Sequence, residues 1–299
     1  MKQINGDKPG NVLNRLLYFY QCISNHKKGS DKSCEISNPT LSIINIDTFD
    51  KSPSRLLCDG FWNSIDFENL KLQLNSKLNI FDIGCGSGKY GKFLEKLSNQ
   101  FFGNYTGLDI YKSDKYPEKF NHICDRAENV YHYINKKINF VISQSALEHI
   151  EKDIVVIEEI TKKLNKNNTP FIQIHMVPAS KSLWLHLLHG YRQYSKKNLS
   201  KISNQLKKKF NVNTFIIPLG GNNSFWTHLR FITLPTLFRR YVLNDKLFKW
   251  SKQKNIEQEI VKSVKKELDC KQENPIFWAF IINSNKINIK NNLVKNFKS

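Results

Sequence analysis

The sequence predicts an open, doubly wound α/β sheet. Three observations carry this. A short apolar run, Ile80-Phe81-Asp82-Ile83, leads directly into a glycine turn at Gly84, Gly86 and Gly88. An amphipathic pattern starts at once, with Tyr90, Phe93, Leu94 and Leu97 spaced for one helix face. Short apolar runs and helical patterns then alternate along the chain, as parallel strands joined by crossover helices require. The 299 residues suffice for one enlarged domain, or one domain with a smaller appendage.

The glycine turn is the functional signal. Glycine turns tightly through positive φ and lets a ligand approach bare backbone. The helix that follows directs its free N–H groups at whatever sits there, so the site suits a polar ligand. Gly86, Gly88 and Gly91 make a loose G-x-G-x-x-G, but the register argues against a dinucleotide. The glycine that closes the strand is Gly84, and counting from it the third position falls on Lys89. The glycines that fit are a G-x-G-x-G set, with Asp82 two places upstream.

Asp82-Ile83-Gly84-Cys85-Gly86-Ser87-Gly88 resembles the first motif of the class I S-adenosylmethionine-dependent methyltransferases. The resemblance spans roughly residues 55–217 plus the last strand. It implies a Rossmann-like sheet of seven strands, the last antiparallel, and S-adenosylmethionine as cofactor. It puts Asp82, Gly84, Cys85, Gly86 and Gly88 against the cofactor, with the turn on its methionine part.

Residues 1–54 read as a partly flexible extension. It carries one helix from Val12 to Ser24, then a polar stretch, Asn25 to Pro39, and a connector, Asp47 to Ser54. The methyltransferase domain is expected over 55–283. Leu56, Leu57, Phe61, Trp62, Leu70 and Leu74 form helical cover ahead of the first strand. The second strand, Tyr105 to Ile110, ends in Asp109, about twenty residues past the glycine turn, where a carboxylate can accept from both ribose hydroxyls. The resemblance gives Asp109 that role, with Ile110 beside it. The third strand ends at Cys124. Asp125 can cap the next helix, and the resemblance puts Asp125 and Arg126 beside the adenine; both readings stay open.

Ile138 to Ser143 is the fourth strand. Ligands in such sheets lie beyond the carboxyl ends of the strands, which brings Gln144, Ser145, Glu148 and His149 near the reacting centre. Gln144 is expected at the cofactor. The Leu147-Glu148-His149 triplet resembles the small-molecule, methyltransferase-type-11-like branch, and the signature of enzymes that methylate exocyclic base amines is missing. An imidazole titrates near neutrality, so His149 is the candidate general base for a hydroxyl acceptor; a packing or orienting histidine is the alternative. Asp153 to Leu164 shows a clean helix face, and Pro170 to Met176 is the fifth strand. Ser182 to Tyr194 is aromatic and basic and reads either as pocket lining or as a packed helix. His175, Arg192 and Tyr194 are the candidate substrate contacts. The histidines show no metal-binding spacing.

A helix from Ser195 to Phe210 and a sixth strand, Val212 to Ile217, come next. The last strand falls on Ile276 to Ile282, so residues 218–275 form an insertion, and 284–299 a basic tail. The insertion is apolar and rich in Arg and Lys, among them Arg230, Arg239, Arg240, Lys246, Lys249, Lys252 and Lys254. It reads either as a cap selecting an anionic acceptor or as a helical elaboration of the sheet edge.

Six scattered cysteines without a C-x-x-C pair argue against a zinc site or a disulfide framework and suit the cytoplasm. The polar N-terminus lacks a signal-peptide core, and no apolar run is long enough to span a bilayer. The net charge of +20 admits nucleic acid or an anionic inner membrane face as a partner, or a Lys-rich surface from AT-rich codon usage. The expected function is O-methylation of a small-molecule, glycan or lipid-linked acceptor. The alternatives are a nucleic-acid methyltransferase and a non-catalytic cofactor-binding protein. Oligomeric state is not encoded legibly.

Overall fold

The computed structural model describes residues 12–26, 34–186, 190–245, 248–252, 255–268 and 274–295. Seven strands build one sheet: β1 (Leu78–Ile83), β2 (Phe102–Asp109), β3 (Asn121–Cys124), β4 (Phe140–Gln144), β5 (Ile172–Pro178), β6 (Val212–Leu219) and β7 (Phe277–Ser284). Their order is β3-β2-β1-β4-β5-β7-β6, parallel from β3 through β5, with β7 antiparallel to both β5 and β6. This is the Rossmann-like arrangement expected, with its last strand reversed. The strand order reverses at β1 and β4, so the crevice at their carboxyl ends is where a ligand fits.

The sheet is buried on both faces, and period-two alternation sorts the side chains. Ile80, Phe140, Ile142, Ile174 and Ile281 point to one layer, and Phe81, Val141, Val177, Phe280 and Ile282 to the other. The first layer is α2 (Pro53–Ser64), α3 (Phe67–Leu74) and α4 (Lys89–Ser98); the second is α5 (Asp153–Lys166) and α6 (Lys196–Phe210). Helix starts follow local chemistry. Ser52 accepts from the Arg55 N–H ahead of Pro53, and Ser195 and Asn198 form a reciprocal capping box for α6.

The N-terminal region is built into the domain. Leu41 and Ile46 lie in the first core layer. Ile36 bridges Ile216, with the Ile216 N–H donating to Glu35 O at 2.9 Å, which covers edge strand β6. Helix α1 (Val12–His26) packs on α6. Part of the polar stretch after it, residues 27–33, lies outside the described residues.

After β6 the chain enters α7 (Asn222–His228), a π-turn (Leu229–Thr233), α8 (Leu234–Leu237) and a second π-turn (Phe238–Val242). It returns through α9 (Ile256–Leu268). Two expectations are corrected. Asp125 precedes a 3-10 helix (Ala127–His132), not an α-helix, and is not its cap residue. Ser180–Leu183 is a 3-10 turn and residues 190–193 are not helical; residues 187–189 lie outside the described residues. Among the described residues no helix is long and apolar enough to cross a membrane.

Candidate active site

The glycine turn joins β1 to α4. Gly84, Gly86 and Gly88 have φ of +71°, +53° and +69°, a region other residues adopt at a cost. The Gly84 and Cys85 N–H groups donate to Leu108 O, at 2.8 and 3.3 Å, which pins the turn to β2. Gly84 also allows close approach: a Cβ there would lie 2.4 Å from Ala146 Cβ. Gly86 differs. A Cβ there would meet nothing within 4 Å, so its bare backbone faces open space. The Gly86 N–H donates to Asp109 Oδ2 at 2.8 Å, which brings the carboxylate at the end of β2 beside the turn. Half-buried Ile110 follows it.

Beneath the turn, buried Asp82 accepts from the Tyr105 hydroxyl at 2.5 Å, and burial pushes its carboxyl up to about 7. Cys85 is buried against Gly107, and burial raises its thiol. Asp125 accepts from the Tyr133 hydroxyl at 2.5 Å and from the Arg126 N–H at 2.7 Å; these bonds hold its carboxyl below the usual range. Arg126 pairs with Glu128.

Ser145 and Ala146 separate this cleft from a pocket of about 570 Å³ over the carboxyl ends of β4 and β5. Ser145 is held at φ +53°, its N–H donating to Met176 O at 3.0 Å. Gln144, Glu148 and His149 form one wall, and Arg55 of α2 stands among the residues of another. His228, Ile232, Thr233 and Thr236 of the insertion line its far side as a partial lid. Burial pushes the Glu148 carboxyl up to about 8, and its Oε2 has no hydrogen-bond partner among the described residues. Its Oε1 lies 4.0 Å from His149 Nε2. Burial pushes the His228 imidazole down to about 4, so it is neutral near pH 7. The Thr233 hydroxyl donates to Leu185 O, leaving its oxygen to accept from His228 Nδ1 at 3.1 Å.

Residues 64–211 match the family model described as a methyltransferase domain. This span is a methyltransferase domain. None of the curated protein sequences matches it significantly. Solved structures similar to it include the plantazolicin methyltransferase BamL in complex with a triazolic desmethylPZN analog and SAH. That pair is 16% identical over 77% of this chain and 85% of that one, with a TM-score of 0.49. A SAM-dependent methyltransferase from Archaeoglobus fulgidus is 17% identical over 73% of this chain and 95% of that one, at 0.44. Magnesium protoporphyrin IX methyltransferase from Synechocystis PCC 6803 is 18% identical over 55% and 76%, at 0.37.

The cofactor of this methyltransferase is S-adenosylmethionine. The residues present fit it: Gly86 offers exposed backbone where a side chain would intrude, and Asp109 stands beside it with a carboxylate. The expected substrate contacts need correction. His175 is fully buried in β5 between Ser143 Oγ at 2.9 Å and Gln173 Oε1 at 3.2 Å. Arg192 pairs with Asp153 at 2.7 Å, and the fully buried Tyr194 donates to the same carboxylate at 2.5 Å. None of the three lines the pocket; Gln193, between the last two, does. Successive residues of extended chain point to opposite sides, so this loop presents Gln193 to the pocket and turns Arg192 and Tyr194 away from it.

The insertion's arginines are also elsewhere. Arg230 lies against Phe231 and Arg239 pairs with Asp245 at 3.3 Å; neither lines the pocket. The side chains of Arg240, Lys246, Lys252 and Lys254 lie outside the described residues. Sequence reasoning missed Arg55 and the His186–His228 contact, whose ring centroids are 5.6 Å apart. No motif marks either, because each joins segments distant in sequence.

Proposed function

We propose that the methyltransferase acts on a hydroxyl oxygen of a small molecule, a glycan or a lipid-linked sugar held in the lidded pocket. The observation carrying this is the Glu148–His149 pair: a buried carboxyl with one unpartnered oxygen beside an imidazole, inside a pocket of small-molecule size. S-adenosylmethionine supplies a methyl group already activated by its sulfonium. The chain's own tasks are alignment, water exclusion and proton removal. Holding two reactants in line contributes on the order of 7–11 kcal/mol, and the lid residues supply part of the wall this needs. A hydroxyl loses its proton as its oxygen is methylated. His149 is the base in this reading, with Glu148 next to it as a carboxyl poised near working pH.

For the cofactor, we assign Gly84, Cys85, Gly86 and Gly88 to the methionine part and Asp109 with Ile110 to the ribose. Asp125 and Arg126 lie on the adenine side, Gln144 stands between cofactor and acceptor, and Asp82 buttresses the turn. Free thiols at the five described cysteines support a reducing compartment, the cytoplasm. The test is transfer of labelled methyl groups from the cofactor to separated glycan, lipid and RNA fractions, with the product bond identified by mass spectrometry. Methyl ethers in the glycan or lipid fraction are expected. Label confined to RNA, or to nitrogen or carbon, would overturn the reading.

A further inference from the structure

The lid is apolar on its outer side as well as its inner one. Phe225, His228, Ile232 and Thr233 face inward and are buried. Trp226, Leu234, Phe238 and Val242 are 62, 53, 55 and 68% exposed, and exposed Arg230 occupies the remaining place in the same row, every fourth residue from 226 to 242. On a plain α-helix such a row drifts by about 40° per step. The two π-turns, seen in the bond from Leu243 N–H to Phe238 O at 3.0 Å, contain more residues per turn and remove that drift. The row therefore stays on one side of the lid.

Helix α1 carries a second exposed apolar face. Its Tyr18 and Cys22 are buried, while Leu13 and Tyr20 are 75 and 71% exposed, with Leu16 and Leu17 between them. Its Phe19 packs on Trp184 at 5.9 Å, and the neighbouring Leu185 carbonyl accepts from Thr233 of the lid. Trp184, 59% exposed, thus joins α1 to the chain segment that bonds the lid. Residues 12–26 and 220–244 contain no Asp or Glu, although the chain has 26 of them, and they contain Arg15, Arg230, Arg239 and Arg240. Asp245, one residue further on, pairs with Arg239, so the surface keeps a net positive charge; apolar side chains edged by such an excess of arginine complement an anionic bilayer. They suit a second copy of the chain poorly, since its arginines would face these.

We infer that this surface docks on a bilayer containing anionic phospholipid, seating Trp226, Leu234 and Phe238 at the headgroup boundary with the pocket beside the lipid. The docking goes beyond the methyl-transfer reading and is tested without turnover. Full-length protein is sedimented with vesicles of phosphatidylcholine alone and of an equimolar mixture with phosphatidylglycerol. Binding at least tenfold tighter to the mixed vesicles is expected, weakening as salt rises. Leu234→Glu with Phe238→Glu should weaken it at least tenfold, with melting temperature and S-adenosylmethionine affinity unchanged. Should that variant melt early, Trp226→Ser replaces it: wild-type tryptophan emission should shift blue on mixed vesicles, and the variant should lose most of the shift. Absent binding to mixed vesicles, or variants that bind like wild type, would overturn the inference. So would a wild-type dimer that the double variant breaks while vesicle binding is absent; the face would then join two copies. Lost cofactor affinity in the wild type would count against the methyl-transfer reading and leave the docking result standing.

Discussion

Glu148 shows how far burial moves a single residue. Its carboxyl, ordinarily at 4.5, is pushed up to about 8. Between those values the folded chain keeps a proton that the unfolded chain releases. Stability from this group is therefore full below pH 4.5 and falls as pH rises towards 8. Glu148→Gln should be more stable than wild type by roughly 2–4 kcal/mol at pH 8 and about equal near pH 4, read by urea unfolding. His149→Ala should lower turnover by about 10²–10⁴-fold and leave cofactor affinity intact; near-normal turnover across the pH range would remove it as the base. Two glycines separate binding from folding. Gly86→Val should abolish S-adenosylmethionine binding in calorimetry while the chain still folds, because its side chain enters the open cleft. Gly107→Val should instead unfold the region, since even a Cβ meets Cys85 Sγ at 2.4 Å.

Among the elements, the loop from Gly190 to Tyr194 is the most constrained. Gly190 has φ +93°, and the Tyr191 N–H donates to Glu148 O at 2.7 Å, so this loop braces the backbone of the buried acid. Asn25 of α1 donates to Tyr191 O at 2.9 Å, and Cys22 lies 3.2 Å from Gly190 O. The N-terminal helix therefore supports a wall of the site. Asp153, at the first position of α5, anchors the loop through Arg192 and Tyr194. Removing one partner of a buried pair leaves an uncompensated charge. Arg192→Met should cost about 3 kcal/mol in urea unfolding, and Asp153→Asn added to it should recover part of that loss.

The whole molecule should respond to its cofactor by mass action. A ligand bound only by the folded state, present at a hundred times its Kd, stabilises by about 2.7 kcal/mol. For a chain of this size that corresponds to a rise in melting temperature of roughly 4 °C. S-adenosylmethionine should produce this rise in wild type and not in Gly86→Val. An equal rise in both would show binding away from the glycine turn. Gly84 lies directly against Ala146, so the glycine turn and the neighbouring pocket share one turn of chain.

By itself the sequence determined the sheet, the glycine turn and the methyltransferase domain. Strand, turn and helix signals are local, and period-two and helical spacings can be read within a few residues. Asp109 could be located because its distance from the turn is set by one helix and one strand. The lining of the pocket was decided only in three dimensions. His175, Arg192 and Tyr194 have the chemistry of substrate contacts, but their faces depend on strand register and loop direction, which chain spacing does not encode. Arg55, Gln193 and His228 reach one pocket from three separate segments, so no motif joins them. The outward row from Trp226 to Val242 was hidden for another reason. An unbroken apolar stretch reads as core until π-turns and a neighbouring helix divide it into an inner face and an outer one.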